Sequence, residues 1–182
     1  MVRHISAAVL MLALVAGSAA GQTARKEHRV LNDIVNRVNG YAQFTIFDDI
    51  NASMDNGVVT LTGKVTMGYK RNDIESRVAS VSGVTQVINK IDVLPASIYD
   101  DELRYRIARA IYTNPSFWMY ASMARPPIHI IVERGHVKLT GVVNSNVDRV
   151  LARSLAASFG AFSVVNELKT DAEMRAANEV LP

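Results

Sequence analysis

From Val30 to Asn39 the apolar residues Leu31, Ile34, Val35 and Val38 recur three and four positions apart. They lie opposite Asn32, Asp33, Asn36 and Arg37, which is the stripe of an amphipathic helix. Thr23 to Arg29 reads as a polar lead-in to it. From Asn51 to Val65 the period changes to two, interrupted by Asn56-Gly57. Both central residues of a type I′ turn need positive φ, so this dipeptide predicts a hairpin in which Met54 faces Val59 and Ala52 faces Leu61. Lys70 to Val81 returns to helical spacing with Ile74, Val78 and Val81 inward, and Val84 to Val93 reads as a strand. The order is helix, strand, strand, helix, strand.

The order then repeats. A helix is predicted near Asp101–Tyr112 and strands near Ile128–Glu133 and His136–Val142, turning at Arg134-Gly135 so that Ile130 faces Leu139 and Val132 faces Val137. A helix near Asn146–Phe159 and a strand near Phe162–Lys169 complete the set. The repeat is visible in the residues themselves: Asn56-Gly57-Val58-Val59-Thr60-Leu61-Thr62-Gly63-Lys64-Val65 matches Arg134-Gly135-His136-Val137-Lys138-Leu139-Thr140-Gly141-Val142-Val143. Gly57 and Gly135 are 78 positions apart and Gly83 and Gly160 are 77 apart, but Leu31 and Leu103 only 72, so the second copy has six extra residues after its first helix. The expected fold is α+β: two tandem αββαβ domains, each a three-stranded mixed sheet with two helices packed on one face. The divisions are a leader over residues 1–20, domains over 21–94 and 99–170 with Pro95 between them, an enlarged loop at 113–127, and a tail at 171–182. Thr170 and Glu173 stand at capping-box spacing at the start of that tail.

The leader has the three parts of a secretory signal: Arg3 and His4, the apolar run Ile5 to Val15, then Ala16-Gly17-Ser18-Ala19-Ala20. The run is short for a membrane span. Of 182 residues, 49% are hydrophobic and 20% charged, a globular composition. Without the leader, nineteen basic residues face 17 acidic ones, a net charge of about +2. That balance lacks the concentrated basic footprint of a nucleic-acid binder but allows attraction to anionic headgroups. There is no cysteine, so neither disulfides nor an acylated N-terminal Cys is available. The expected location is the periplasm or the exterior.

The pattern of a Leu/Ile/Val-spaced helix, Asn-Gly-Val-Val-Thr-Leu-Thr-Gly-Lys-Val, a second helix and Gly-Val-x-x-Val-x-Asn-x-Ile resembles the BON domain family, over most of Val30–Val93 and Asp101–Thr170. The resemblance implies a tandem αββαβ protein of the cell envelope, non-enzymatic, that binds phospholipid or supports the envelope under osmotic or other stress.

Because the copies control for each other, features unique to one are candidates for function. On a helical wheel Leu103, Ile107, Ala110 and Ile111 form a core stripe, while Tyr105, Ala108, Arg109 and Tyr112 lie opposite. The first copy has Asp33, Asn36 and Arg37 there. The enlarged loop follows, and four of the chain's 12 aromatics, including its one Trp, fall between Tyr112 and Tyr120. Aromatic rings with one apolar and one wet side, flanked by arginines, suit a lipid headgroup region. Tyr105, Arg109, Tyr112, Phe117, Trp118, Met119, Tyr120 and Arg125 are therefore candidates for peripheral contact with an anionic phospholipid surface. Other readings are open: the aromatics fill the groove between domains, the patch mediates self-association, or the patch or a sheet edge binds another envelope protein as a scaffold.

No catalytic, metal or cofactor site is expected. His129 falls opposite Thr140 and His136 opposite Glu133, too far apart to share a metal, and the Glu133–His136 pair reads as a surface contact. Asp48-Asp49 and Asp100-Asp101-Glu102 read as loop and helix-start charges. No phosphate-binding Gly loop, catalytic-serine elbow or paired-carboxylate motif stands out.

Overall fold

The computed structural model describes the backbone of residues 12–179 and the side chains of residues 25–176. The expected leader lies outside the described residues up to residue 11, and residues 12–20 are described by backbone alone. Helix α1 spans Leu12–Asn39, so the segment expected as a polar lead-in is helical. Ala24, Arg25, Lys26 and Glu27 are strong helix formers, with no proline to stop the helix.

In the first domain, β1 (Asp49–Asp55) pairs antiparallel with β2 (Val58–Val65), with Met54 opposite Val59 and Ala52 opposite Leu61. The turn carries φ of 48° at Asn56 and 85° at Gly57, as the sequence required. Helix α2 (Gly68–Ala79) crosses over, and β3 (Gln86–Val93) runs parallel to β2. Strand β3 starts later than expected because Val84 N–H turns back onto Val81 O at 3.1 Å.

The second domain repeats this with α3 (Ile98–Tyr112), β4 (Ile128–Glu133), β5 (His136–Val143), α5 (Asn146–Ala157) and β6 (Ser163–Asn166). Helix α3 begins early because Ser97 caps it, its hydroxyl accepting from Asp100 N–H at 3.2 Å. A 3₁₀ turn (Pro115–Phe117) and the one-turn α4 (Trp118–Ala121) occupy the enlarged loop. The expected last strand is divided, β7 (Lys169–Thr170) pairing with β5 beyond a break at Glu167-Leu168. Helix α6 (Asp171–Glu179) follows, fixed by a reciprocal capping box: Thr170 N–H donates to Glu173 Oε2 at 2.8 Å and Glu173 N–H to Thr170 Oγ1 at 3.3 Å.

Two features shared by both copies are fold requirements. The glycine of each Leu-Thr-Gly has a φ that L side chains rarely adopt, 118° at Gly63 and 112° at Gly141. A Cβ there would come 2.1 Å from Asp49 O or 1.8 Å from Pro127 O. The asparagine of the last strand ties it to the second helix. Asn89 Nδ2 donates to Arg71 O at 3.0 Å, and Asn166 Nδ2 donates to Arg149 O at 2.8 Å. The Oδ1 of each accepts a backbone N–H two residues on, from Ile91 and Leu168.

Each sheet buries one face under its two helices. Ile34, Leu61, Ile74, Val78 and Ile91 fill the first core; Ile107, Ile111, Ile130, Leu139 and Ala152 fill the second. Fully buried aliphatic side chains contribute roughly 1.5–3 kcal/mol each. Val35, expected in the inward stripe of α1, is half exposed instead, and Ala108, expected outward, is buried.

The outer face of the second sheet is not free. Ile131 alternates away from the helices yet is 3% exposed. On either side of it on that face, His129 and Glu133 bind Asp48 and Lys64 of the first domain. The edge of β4 is also closed, Ile130 N–H donating to Ile46 O at 2.7 Å.

Candidate functional site

The enlarged loop is half core and half surface. Phe117 is fully buried and Tyr120 nearly so, their ring centroids 5.8 Å apart inside the second domain's own core. Tyr120 Oη donates to Asp148 Oδ2 at 2.8 Å and accepts from Asn144 N–H at 2.7 Å. Burial first, and then Asp148, pushes its phenol up to about 12, against the lowering effect of Asn144 N–H. Tyr112 is half-buried, its hydroxyl donating to Ile128 O at 2.6 Å, and burial raises its pKa strongly. These three rings fasten the loop and helix to the sheet, so they are removed from the candidate contact surface. The signal was available in part: residues 117 and 120 are one helical turn apart, and two aromatics on one face of a short helix are readily core.

The other candidates lie outside. Trp118 is 69% exposed and Met119 42%, with Met123 beside them, and Arg125 is exposed at the end of the loop. Tyr105 and Arg109, one helical turn apart on α3, are exposed as well. Tyr105 also meets Phe47 of the first domain edge-on, with centroids 5.3 Å apart. The groove-filling reading holds in part, through that contact and through Ile46 and Phe47, which pack against the core containing Phe117 and Tyr120.

The acidic residues read as loop and helix-start charges are tied into the fold. Asp48 is fully buried. Its carboxylate accepts from Lys70 Nζ at 2.7 Å, from Thr66 N–H at 2.8 Å and its hydroxyl at 3.0 Å, and from both Thr45 donors at 2.8 Å. Burial works to raise its pKa, but the hydrogen bonds from Lys70, Thr66 and Thr45 outweigh it and lower the value. Asp100 is also buried, accepting from Arg134 N–H at 2.7 Å and Gly135 N–H at 2.8 Å, so it caps the hairpin turn as well as starting α3. Glu27 holds Asn56 N–H at 2.9 Å in the first copy. These are structural carboxylates placed by tertiary contact, which local spacing does not reveal.

Across the domain junction Lys138 Nζ binds Asp49 at 2.8 Å and lies 3.6 Å from Glu167. Burial opposes its charge, but the two carboxylates prevail and raise its pKa. Glu133 pairs with Lys64 rather than with His136, whose Nδ1 is 2.8 Å from Ser163 Oγ. Among the described residues no group of three or more His, Cys, Asp or Glu is placed to hold a metal ion, and no helix is long and apolar enough to cross a membrane.

The family model of the BON domain matches residues 28–95 and 100–172, the two segments that fold into the two α+β units. The chain therefore belongs to the BON domain family, and it carries the domain twice. BON is a non-catalytic binding domain, and the membership suggests an envelope-associated binding module. No curated protein matches the chain. Among solved structures it is similar to CdsD, a structural protein of the type III secretion system of Chlamydia trachomatis. Identity is 13% over 85% of this chain and 99% of that one, with a TM-score of 0.28. A structure of the C-terminal domain of CdsD gives 14% identity over 75% and 96%, with a TM-score of 0.26. Likeness at this level has no bearing on function.

Proposed function

We propose that this chain is an exported, non-enzymatic protein of the periplasm or exterior that touches an anionic phospholipid surface peripherally in envelope maintenance. The contact is made through Trp118 and Met119, with the exposed Tyr105, Arg109 and Arg125 contributing to it. One observation carries the reading: Trp118 is 69% exposed immediately beside a fully buried Phe117. A large apolar ring held outward by its neighbour's anchoring is suited to the boundary between headgroups and acyl chains. The exposed arginines suit lipid phosphates while their stems lie on apolar surface.

Sedimentation with phosphatidylglycerol vesicles tests this. Wild type should co-sediment, and Trp118→Glu and Arg109→Glu should weaken the association by about fivefold or more. Trp118 fluorescence should shift to the blue on binding. No binding by wild type, or binding untouched in folded variants, overturns the assignment.

A polypeptide-binding reading rests on a different observation, that β3 and β6 are terminal strands of their sheets. Capture of a defined envelope partner that survives detergent, and is lost when β3 is altered, would favour it over the lipid surface.

A further inference from the structure

Beyond the aromatic loop, the two domains flank an open cleft of about 890 Å³ between the end of α1, β1, the outer face of β5 and helix α6. That size lies within the range of sites for small molecules, and a domain junction is a common place for them. Its lining is mixed, with apolar residues from both domains, Val35, Phe44 and Ile50 on one side and Val142 and Met174 on the other, among polar and charged ones. Val35 is the residue whose helical spacing destined it for a core, yet it is half exposed and faces this space.

Thr140 and Lys169, both on the lining, are without a side-chain partner among the described residues. Thr140, 9% exposed, has an Oγ1 that is buried without a hydrogen-bond partner, although it lines the cleft. A buried hydroxyl left unsatisfied is costly. The second group is Lys169. The lining carboxylates are already engaged, Asp49 and Glu167 with Lys138 and Glu173 with Arg149. Lys169 has no carboxylate partner among the described residues, so it is the free charge at the rim.

We propose that this junction is a binding site for a single-chain amphiphile with an anionic head, of the fatty-acid class. The acyl chain lies between Val35, Ile50, Val142 and Met174, the head is attracted by Lys169, and Thr140 turns its buried, unpartnered hydroxyl outward to donate to it. This site is separate from the Trp118 surface, and its ligand is a monomer in solution rather than a bilayer.

The test is titration calorimetry of the purified protein with monomeric dodecanoate. Wild type should bind saturably. Val35→Trp and Met174→Trp, which fill the cleft from opposite walls, should weaken binding by about tenfold or more. Lys169→Glu should weaken it by about fivefold, Thr140→Val by about threefold, and Trp118→Glu should leave it unchanged. Val35→Trp should still sediment with phosphatidylglycerol vesicles as wild type does, which separates failure of this site from failure of the loop. The proposal is overturned by absence of saturable binding, by equal affinity for dodecyltrimethylammonium, by binding that Trp118→Glu abolishes, or by binding that both cleft-filling variants leave intact.

Discussion

His129 Nδ1 donates a hydrogen bond to the backbone carbonyl of Asp48 at 2.6 Å, joining the outer face of the second sheet to the first domain's most buried carboxylate. A carbonyl oxygen only accepts, so that nitrogen carries the proton. The same Asp48 binds Lys70 within its own domain, and one residue therefore organises both the first core's polar rim and the junction.

Breaking the Asp48–Lys70 pair leaves a buried, uncompensated ammonium. Asp48→Asn should lower stability by about 3–5 kcal/mol in urea unfolding. The pH dependence follows from the lowered carboxyl pKa. Its contribution is present above the unfolded value, near 3.8, and is lost as pH falls through the lower folded value. The urea midpoint of wild type should fall with acidification in that window, and Asp48→Asn should lack that part of the fall.

Gly63 and Gly141 have the same backbone conformation against the same neighbouring carbonyl position, so they should respond alike. Gly63→Ala and Gly141→Ala should each cost about 2–4 kcal/mol, from the strained φ and the collision with Asp49 O or Pro127 O. Thermal unfolding that tolerated either change would show that the motif glycine is dispensable.

Asp100 and Glu27 hold the two hairpin turns unequally. Asp100→Ala removes two buried charge-assisted bonds and should cost about 2–3 kcal/mol, with faster hydrogen exchange at Arg134 and Gly135. Glu27→Ala removes one exposed bond to Asn56 and should cost under about 1 kcal/mol.

Tyr120 provides a spectroscopic check on the buried half of the loop. Its tyrosinate absorbance should develop only near pH 12, together with those of the similarly raised Tyr41 and Tyr112, and Tyr120→Phe should reduce that late component by one tyrosine. Because the folded pKa is raised, the hydrogen-bonded neutral phenol stabilises the fold fully below about 10 and ceases to do so as pH rises through the folded value.

The domain junction should open when its covered apolar residue is charged. Ile131→Lys places an ammonium where Ile131 is 3% exposed, between His129 and Glu133. Small-angle scattering should report a larger radius of gyration while far-ultraviolet dichroism retains both folded domains. An unchanged radius would mean that the domains are held without this face.

The sequence by itself determined the duplicated α+β architecture, because period-two and helical spacing, the Asn56-Gly57 turn and the Thr170–Glu173 box act over a few residues. The hairpin registers followed, since a slip by one residue would turn Leu61 or Leu139 out of the core. It also located the region where the copies differ. Only the tertiary structure decided which aromatics there are anchors and which are surface, sending Phe117 and Tyr120 inward and Trp118 outward. Only it made Asp48 a buried hub, covered Ile131, and left Val35 and Thr140 facing a cleft. Each of these depends on a neighbour 18 or more positions away or on the other domain: Thr66 and Lys70 for Asp48, Asp148 for Tyr120. Local periodicity shows which side of an element is apolar. What comes to lie against that side is set by packing between elements distant in the chain.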